Sequence, residues 1–374
     1  MDRREVLQVG AAVVASGALA GGAAQAQTAP KLTLSAYSRT LHWLRTPQEV
    51  AAALNQIGNK TVDLTVRPGS GHVDPAKVKT DLPVFVKGLR AGGVDVSMLA
   101  PNILDADDAN AEATLDAASQ LGIHHYWWGT YRFDETKPYW PQLDALKPKV
   151  AKLVALNQKY GMKAMAHPRD GAGSVSGAFF DLYYVLKDFD PRYVSFQYDT
   201  HHLAQAFDSV FVQQLRMGGA YIGGFVWKDV MIESPDSPNP DDAWRAAHPR
   251  PARAAAAAAP ADAVAGPAGA AAGAPGAAPA GRGGRGGRGP NANPSKIRVR
   301  QVPVGTGQLN LKLIAQTLKE INFNGPMECE PEWPQLGGAD GGATELSISR
   351  EECIALLKKD RVTMEGIMAS AGLI

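Results

Sequence analysis

Four side chains of the types that bind metal ions stand at the ends of predicted β-strands in the second half of the chain. His167 follows the fifth predicted strand, Asp199 and His202 follow the sixth, and Glu330 ends the eighth. Imidazole nitrogens and carboxylate oxygens together bind divalent cations, and this mixture suits Mn, Zn, Co or Mg. We therefore predict one divalent metal ion held by these four residues. Glu328, two residues before Glu330 and on the same strand face, is the alternative to Glu330 as ligand or base. Taken alone, the Asp-x-x-His spacing is also typical of a capping aspartate beside a surface histidine.

Residues near these ligands have the chemistry of proton transfer and charge stabilisation. We predict Glu330, His167 and Lys228 as catalytic, because a carboxylate or an imidazole can carry a proton and an ammonium can stabilise a developing oxyanion. The alternative for Lys228 is a salt bridge to a neighbouring carboxylate. The predicted substrate-binding residues are Arg67, His72, His202, Trp128 and Tyr131. Aromatic rings at these positions either stack on a sugar ring or belong to the core.

The rest of the chain alternates short β-like runs with longer helical ones. Thr46 and Pro47 begin the first helical run and Gly58 ends it, and the alternation of strand and helix repeats eight times. Such a repeat predicts an α/β fold, a (β/α)₈ TIM barrel. An open doubly wound sheet is the main alternative, but no glycine-rich dinucleotide motif follows the first strand. In a barrel the active site lies at the carboxyl ends of the strands, where the residues above are found.

Composition limits the classes of protein to which the chain can belong. The 374 residues are 45% hydrophobic and carry a formal net charge of +1. This balance is typical of a globular protein and argues against a dedicated nucleic-acid or membrane-surface binder. Two cysteines, Cys329 and Cys353, are too few for a disulfide scaffold. We expect a small sugar as the partner, with no nucleic acid and no membrane, while the oligomeric state is open.

Two segments differ from the barrel in composition. Residues 1–26 contain an Arg-Arg pair, an apolar run and an Ala-Gln-Ala cleavage pattern, which predicts a twin-arginine-like export signal and a periplasmic location. Residues 246–295 are rich in Ala, Gly, Pro and Arg, which predicts a disordered insertion after the seventh strand. The barrel is then expected to comprise residues 27–245 and 296–374, roughly 300 residues, a usual size for this fold.

Several motifs resemble those of a known family. They are VDLTVRPGSGHVDP (62–75), YVSFQYDTHHL (193–203), GGFVWKDV (223–230) and FNGPMECE (323–330). In this order along the chain they are similar to segments of the xylose-isomerase-like TIM barrels, a superfamily of sugar phosphate isomerases and epimerases. The first motif is similar to the corresponding loop of exported members.

The resemblance implies roles for individual residues. Asp199 and Glu330 match metal ligands of the family, His202 matches a histidine that contacts metal or substrate, and Lys228 matches a lysine on the seventh strand. His167 stands where members place an acidic ligand or an Asn-His pair. Two features depart from the family pattern, because the seventh strand has no metal-binding histidine and the fourth and fifth have no glutamate. A His/Asp/His/Glu set is then the expected metal cage, without the second glutamate of the two-base epimerases.

The expected function is a divalent-metal-dependent sugar isomerase or epimerase that works through a metal-stabilised enediolate. One alternative is a lyase or hydrolase of 3-keto-glycosides that uses the same enolisation, and another is a non-catalytic exported sugar-binding barrel. A metal-dependent phosphodiesterase acting at abasic sites, also known in this superfamily, needs more ligands and a basic groove. Export favours free sugars or glycosides over sugar phosphates as substrates.

Overall fold

Strands and helices alternate along the chain in this computed structural model, which describes residues 32–69, 71–169, 173–204, 210–249 and 297–374. The strands are β1 (Leu34–Tyr37), β2 (Thr61–Val66), β3 (Asp95–Pro101), β4 (His125–Trp128), β5 (Lys163–Ala166), β6 (Val194–Asp199), β7 (Ile222–Trp227), β8 (Asp229–Glu233), β9 (Arg298–Val302) and β10 (Met327–Cys329). The α-helices are α1 (Pro47–Ile57), α2 (Val78–Ala91), α3 (Ala111–Gln120), α4 (Tyr139–Tyr160), α5 (Phe180–Leu186), α6 (Val210–Gly218), α7 (Pro240–Ala247), α8 (Leu311–Glu320) and α9 (Arg350–Ser370).

Eight of these strands close into a parallel barrel in the order β1 to β7 followed by β10. The barrel closes at β10, where Met327 pairs with Phe225 of β7 and with Leu34 of β1. The predicted (β/α)₈ barrel is therefore confirmed. The carboxyl ends of all eight strands consequently open on one face of the molecule.

The first helix illustrates how local sequence sets the bounds of an element. The Thr46 side chain accepts a hydrogen bond from the Glu49 N–H, and the Glu49 carboxylate accepts one from the Thr46 N–H, which together form a capping box. Pro47 occupies the first turn, where no intrahelical donor is needed. Gly58 ends the helix in the left-handed region, at a φ of 100°. These signals explain why the sequence predicts this helix without error.

Polar side chains occupy the inside of the barrel, whereas apolar side chains pack between its strands and the surrounding helices. Ser35, Asp63, Gln197 and Glu328 are all buried. Ser35 Oγ donates to Ser97 Oγ at 2.8 Å, and Gln197 Nε2 donates to Glu328 Oε1 at 3.0 Å. Because buried polar groups need partners, these hydrogen bonds stabilise the polar side chains inside the barrel beneath the open face.

A small second sheet, which the sequence did not predict, follows the seventh barrel strand. β8 and β9 pair antiparallel over their whole length. Asp229 Oδ2 accepts hydrogen bonds from the N–H groups of Gly305 and Gly307, both at 2.9 Å. A Cβ on Gly307 would lie 2.1 Å from Asp229 Oδ1, so this position requires glycine. The pairing escaped prediction because a long low-complexity segment separates the two strands in the chain.

Two predictions fall on segments about which the structure gives no description. The export signal at residues 1–26 and nearly all of the insertion at 246–295 lie outside the described residues, so both remain predictions. α7 extends to Ala247, just inside the predicted insertion. Among the described residues, no helix combines the length and the apolar character that a membrane crossing requires.

Candidate metal and substrate site

Three buried side chains at the carboxyl ends of β5 and β6 bring potential metal-ligand atoms together. His167 Nε2 lies 3.5 Å from Asp199 Oδ2, and His202 Nε2 lies 4.0 Å from the same oxygen. The ligand atoms of the three residues all lie within 4.8 Å of one another. Two ligands bonded to one tetrahedral zinc ion are about 3.3 Å apart. The spacing is therefore close to that of three ligands around one divalent ion.

Hydrogen bonding and burial give His167 the protonation state of a metal ligand. Gln197 donates its amide N–H to Glu328, so its carbonyl oxygen faces His167 Nδ1 at 3.2 Å and Nδ1 carries the proton. Burial lowers the pKa of His167 well below its usual value, although Asp199 opposes the shift. The ring is therefore neutral, with the Nε2 lone pair directed at Asp199. A neutral imidazole fixed through its other nitrogen is the usual form of a histidine ligand.

The burial and the charge of Asp199 also suit a metal ligand. Asp199 Oδ2 and His202 Nε2 belong to buried residues, and Asp199 Oδ2 lies 3.0 Å from Lys228 Nζ. Burial alone would raise the pKa of Asp199, but Lys228 and the two imidazoles outweigh this effect and hold the pKa below its usual range. An ionised carboxylate and two imidazoles directed at one point match the donor set of a catalytic zinc-type site with an open position. The residues present thus fit a divalent cation.

A π-helical turn over Thr200–Ala204 explains why the Asp-x-x-His spacing works here. Asp199 Oδ1 accepts hydrogen bonds from the N–H groups of His201 at 2.7 Å and of His202 at 3.1 Å. Thr200 Oγ1 donates to the Lys228 carbonyl oxygen at 2.7 Å and accepts from the Lys228 N–H at 2.8 Å. The turn therefore places His202 beside Asp199 and also ties the end of β6 to the end of β7.

Lys228 and Glu330, both predicted as catalytic, contact each other. Lys228 Nζ lies 2.8 Å from Glu330 Oε2 and 2.8 Å from Glu332 Oε2. Arg39 Nη1 lies 2.7 Å from Glu332 Oε1 and 3.7 Å from Glu330 Oε1. Of the four predicted metal ligands, the structure thus groups His167, Asp199 and His202. Glu330 instead faces the basic side chains of Lys228 and Arg39.

The two glutamates of this ion-pair cluster differ in pKa. Burial raises the pKa of Glu330 above its usual value despite the opposing charge of Lys228. For Glu332 the charges of Lys228 and Arg39 outweigh the effect of burial and hold the pKa well below its usual range. Glu330 therefore has the character of a proton acceptor, and Glu332 that of a permanent counter-ion.

A cavity of about 230 Å³, partly open to solvent, lies at this face of the barrel. Its walls are formed by Tyr37, Arg39, Asp63, Trp127, His167, Arg169, Gln197, Glu328 and Glu330. Asp63 and Glu328 share a hydrogen bond, and burial raises the pKa of both carboxyls. The pair therefore holds a proton near neutral pH, because two buried carboxylates in contact do not both ionise.

Of the two adjacent tryptophans of β4, Trp127 lines the cavity and Trp128 does not. Trp128 is fully buried and its Nε1 donates to the Leu104 carbonyl oxygen at 2.8 Å. The Tyr131 hydroxyl donates to Asp105 Oδ1 at 2.7 Å, so Tyr131 likewise belongs to the packing around the loop after β3. Because side chains alternate along a strand, consecutive tryptophans in β4 face opposite sides. The structure thus does not bring the predicted Trp128 and Tyr131 to the cavity.

The predicted substrate-binding residues of β2 and its loop also lie behind the cavity wall. Arg67 Cζ lies 3.8 Å above the Trp127 ring, and its Nε donates to the Ala100 carbonyl oxygen. His72 contacts Thr65 Oγ1 at 3.1 Å, and burial lowers its pKa to about 4, which makes it a neutral packing residue. Arg67 supports the aromatic wall, whereas the structure does not place His72 against the cavity.

Sequence reasoning missed several cavity residues, and two of them lie within strands, whereas only the ends of strands were considered as site positions. Asp63 lies within β2 and Gln197 within β6, and Tyr37 and Arg39 lie at the end of β1 and just after it. A signal was available for Asp63, since side chains alternate along a strand and Asp63 shares a polar face with Thr61 and Thr65, opposite Val62, Leu64 and Val66. No local signal identifies Arg39, because its partner Glu332 is almost the whole barrel away in sequence.

A comparison with known families and structures finds similar proteins over nearly the whole chain. A family model described as xylose isomerase-like TIM barrel matches residues 51–352. D-psicose 3-epimerase from Clostridium cellulolyticum H10, solved with D-tagatose, is 11% identical, with a TM-score of 0.55 over 90% of this chain and 99% of that one. Comparison with curated protein sequences gives no significant match.

Two further similar structures contain a metal ion. A xylose isomerase-like TIM barrel protein from Mycobacterium smegmatis, in complex with magnesium, is 13% identical, with a TM-score of 0.53 over 92% of this chain and 98% of that one. A protein named IOLI, solved with a bound zinc atom, is 11% identical, with a TM-score of 0.54 over 91% of this chain and 99% of that one. At these identities the likeness establishes the fold and leaves the reaction to be argued from the site.

Proposed function

Because the chain belongs to the xylose isomerase-like TIM barrel family, we propose that it is a divalent-metal-dependent enzyme of the isomerase or epimerase kind, acting on a sugar or keto-sugar. The observation that carries this proposal is the convergence of His167 Nε2, Asp199 Oδ2 and His202 Nε2 beside a cavity that Glu330 also lines. His167, Asp199 and His202 would hold a divalent ion, which would supply Lewis-acid chemistry to adjacent carbonyl and hydroxyl oxygens of the substrate and so acidify the C–H bond between them.

The remaining residues of the cavity supply the proton chemistry. Glu330 is the proposed base, because its pKa is raised by burial and its two oxygens are oriented by Lys228 and Arg39. The Asp63–Glu328 pair lines the same cavity and is the proposed donor that returns a proton. His167 serves as a ligand in this scheme, which leaves Glu330 as the proton acceptor.

The walls of the cavity support a small sugar as substrate. Trp127 and Arg169 both line the cavity, and the Arg169 guanidinium lies 5.4 Å from the centre of the Trp127 ring, which Arg67 supports from behind the wall. An aromatic side chain beside a charged donor suits a polyhydroxylated ring of monosaccharide size.

Proton exchange tests this proposal directly. The metal-free protein would be loaded in turn with Mn²⁺, Co²⁺, Zn²⁺ or Mg²⁺ and incubated in D₂O with D-tagatose, D-allulose or a 3-keto-glucoside. We expect deuterium to enter at the carbon beside the carbonyl, with at least one ion required for exchange. Release of the aglycone from the 3-keto-glucoside would assign the elimination that shares this first step.

Matched variants locate the reaction. Glu330→Gln is expected to lower the rate of exchange at least about a hundredfold, the usual contribution of a positioned general base. Asp199→Asn is expected to lower it by at least as much, because it removes a ligand of the metal ion. Asp241→Asn, which alters a buried aspartate of α7 away from the site, should leave exchange intact. Absence of exchange with every ion and sugar, or undiminished exchange in Asp199→Asn, would refute the proposal.

A further inference from the structure

The ammonium of Lys228 is enclosed by carboxylates. Its Nζ lies 3.0 Å from Asp199 Oδ2, 2.8 Å from Glu330 Oε2 and 2.8 Å from Glu332 Oε2, and its side chain is 2% exposed. An ammonium has three N–H donors and no acceptor, so three carboxylates are the full complement that it can serve. Lys228 therefore lies in a cage of three carboxylates, which is also an arrangement that binds metal ions.

One oxygen of this cage belongs to the candidate metal site as well. Asp199 Oδ2 faces Lys228 Nζ on one side and the imidazole Nε2 atoms of His167 and His202 on the other, at 3.0, 3.5 and 4.0 Å. A divalent ion bonded to that oxygen and a fixed ammonium would lie within a few ångströms of each other. Two cations at such a distance repel each other strongly in a buried site.

Both carboxylate oxygens of Glu330 face basic side chains. Its Oε2 contacts Lys228 at 2.8 Å and its Oε1 lies 3.7 Å from Arg39. In the described part of the chain, the residues close enough to share one ion are His167, Asp199 and His202, without Glu330. The cage residues Asp199, Glu330 and Glu332 carry three negative charges, and the two cations beside them leave a net charge of about −1.

We propose that Lys228 is a built-in cation that competes with the divalent ion for Asp199 and keeps Glu330 out of the coordination shell. The ion is then held by three protein ligands, and Glu330 remains available as a base. The inference rests on the metal site of the proposed function but not on its reaction. Replacing Lys228 with a neutral residue should therefore strengthen metal binding, the reverse of what loss of a supporting residue would do.

Cobalt binding provides the test, because Co²⁺ reports both affinity and coordination through its visible absorption. Calorimetry on metal-free protein should show Lys228→Gln binding Co²⁺ at least about tenfold more tightly than the wild type. Glu330→Gln should leave the affinity and spectrum of the wild type nearly unchanged. In the Lys228→Gln background the same substitution should weaken binding and alter the spectrum, because Glu330 has become a ligand.

Two controls keep the outcome interpretable. Thermal unfolding in chelator shows whether Lys228→Gln is folded, and Lys228→Gln/Glu332→Gln restores the net charge of the cage if the single variant is unstable. In that double variant the expected gain in affinity persists, because Asp199 and Glu330 are still released. The measurement on Glu330→Gln alone does not depend on the stability of Lys228→Gln, because Lys228 is unchanged in that variant.

The outcomes separate this inference from the proposed function. Weaker or unchanged Co²⁺ binding in folded Lys228→Gln, or loss of binding in Glu330→Gln alone, would overturn the inference, as would absence of binding in every variant. Co²⁺ binding by Lys228→Gln but not by the wild type would support the inference in its strongest form. The same result would contradict the metal dependence of the proposed function. Tight binding by the wild type without proton exchange would affect the proposed function alone.

Discussion

The buried carboxyl pair inside the barrel makes stability depend on pH in a way that one substitution should abolish. Burial raises the pKa of Asp63 from an ordinary 3.8 to about 7, against the opposing effects of its hydrogen bond to Glu328 and of the Arg67 charge. Because the folded-state pKa lies above the unfolded value, the stabilising effect of the protonated form is complete below pH 4. It is lost as the pH rises through 7.

The size of the effect follows from this shift. A difference of about three pKa units corresponds to about 4 kcal/mol, of which about 3 kcal/mol is lost between pH 5 and pH 8. Asp63→Asn keeps the shape of the side chain and can still donate to Glu328, but it cannot ionise. We expect the variant to gain about 3 kcal/mol relative to the wild type when the pH is raised from 5 to 8.

Guanidinium unfolding at the two pH values, in the presence of chelator, measures this difference. Asp95→Asn is the matched control, because Asp95 is an exposed aspartate at the start of β3. Its effect on the free energy of unfolding should be the same at pH 5 and pH 8. An equal offset between Asp63→Asn and the wild type at both values would refute the reasoning and show that Asp63 is ionised throughout.

Three further predictions concern the second sheet, the aromatic wall and the proposed base. Gly307→Ala should lower the free energy of unfolding by about 1–3 kcal/mol, measured by thermal unfolding, since its Cβ would lie 2.1 Å from Asp229 Oδ1. An unchanged midpoint would contradict that packing. Trp127→Ala should raise KM for the substrate about 3–10-fold. Trp128→Phe should lower the unfolding temperature and leave KM unchanged. A raised KM in Trp128→Phe, with KM unchanged in Trp127→Ala, would show that Trp128 contacts the substrate. Since burial raises the pKa of Glu330 above 4.5, kcat/KM should rise with pH through a value above 4.5, and a flat profile would exclude Glu330 as the base.

The strand ends of the barrel could be predicted from sequence because local patterns determine them. Caps such as Thr46 and Gly58 delimit the helices, and the strands between them are short apolar runs. Once eight repeats indicate a barrel, residues that follow strands must lie on one face. That reasoning predicts that His167 and Asp199 lie close together, and in the structure His167 Nε2 is 3.5 Å from Asp199 Oδ2.

The remaining parts of the site depend on facts that a single sequence does not contain. The choice between Trp127 and Trp128 depends on which side of β4 faces inward, and a shift of one residue reverses it. The pairing of Asp63 with Glu328 and of Arg39 with Glu332 depends on closure of the barrel between its first and last strands. The orientation of Glu330 toward Lys228 is a matter of rotamer and charge, which strand position does not determine.

The metal content of the purified protein tests the central claim most directly. After incubation with Mn²⁺, Zn²⁺, Co²⁺ or Mg²⁺ and removal of unbound ions, elemental analysis should find close to one ion per chain in the wild type and in Asp241→Asn. Asp199→Ala should retain almost none, since it removes the oxygen that His167 and His202 face. No bound ion in the wild type, or equal amounts in Asp199→Ala, would contradict the claim that these three residues form a metal site.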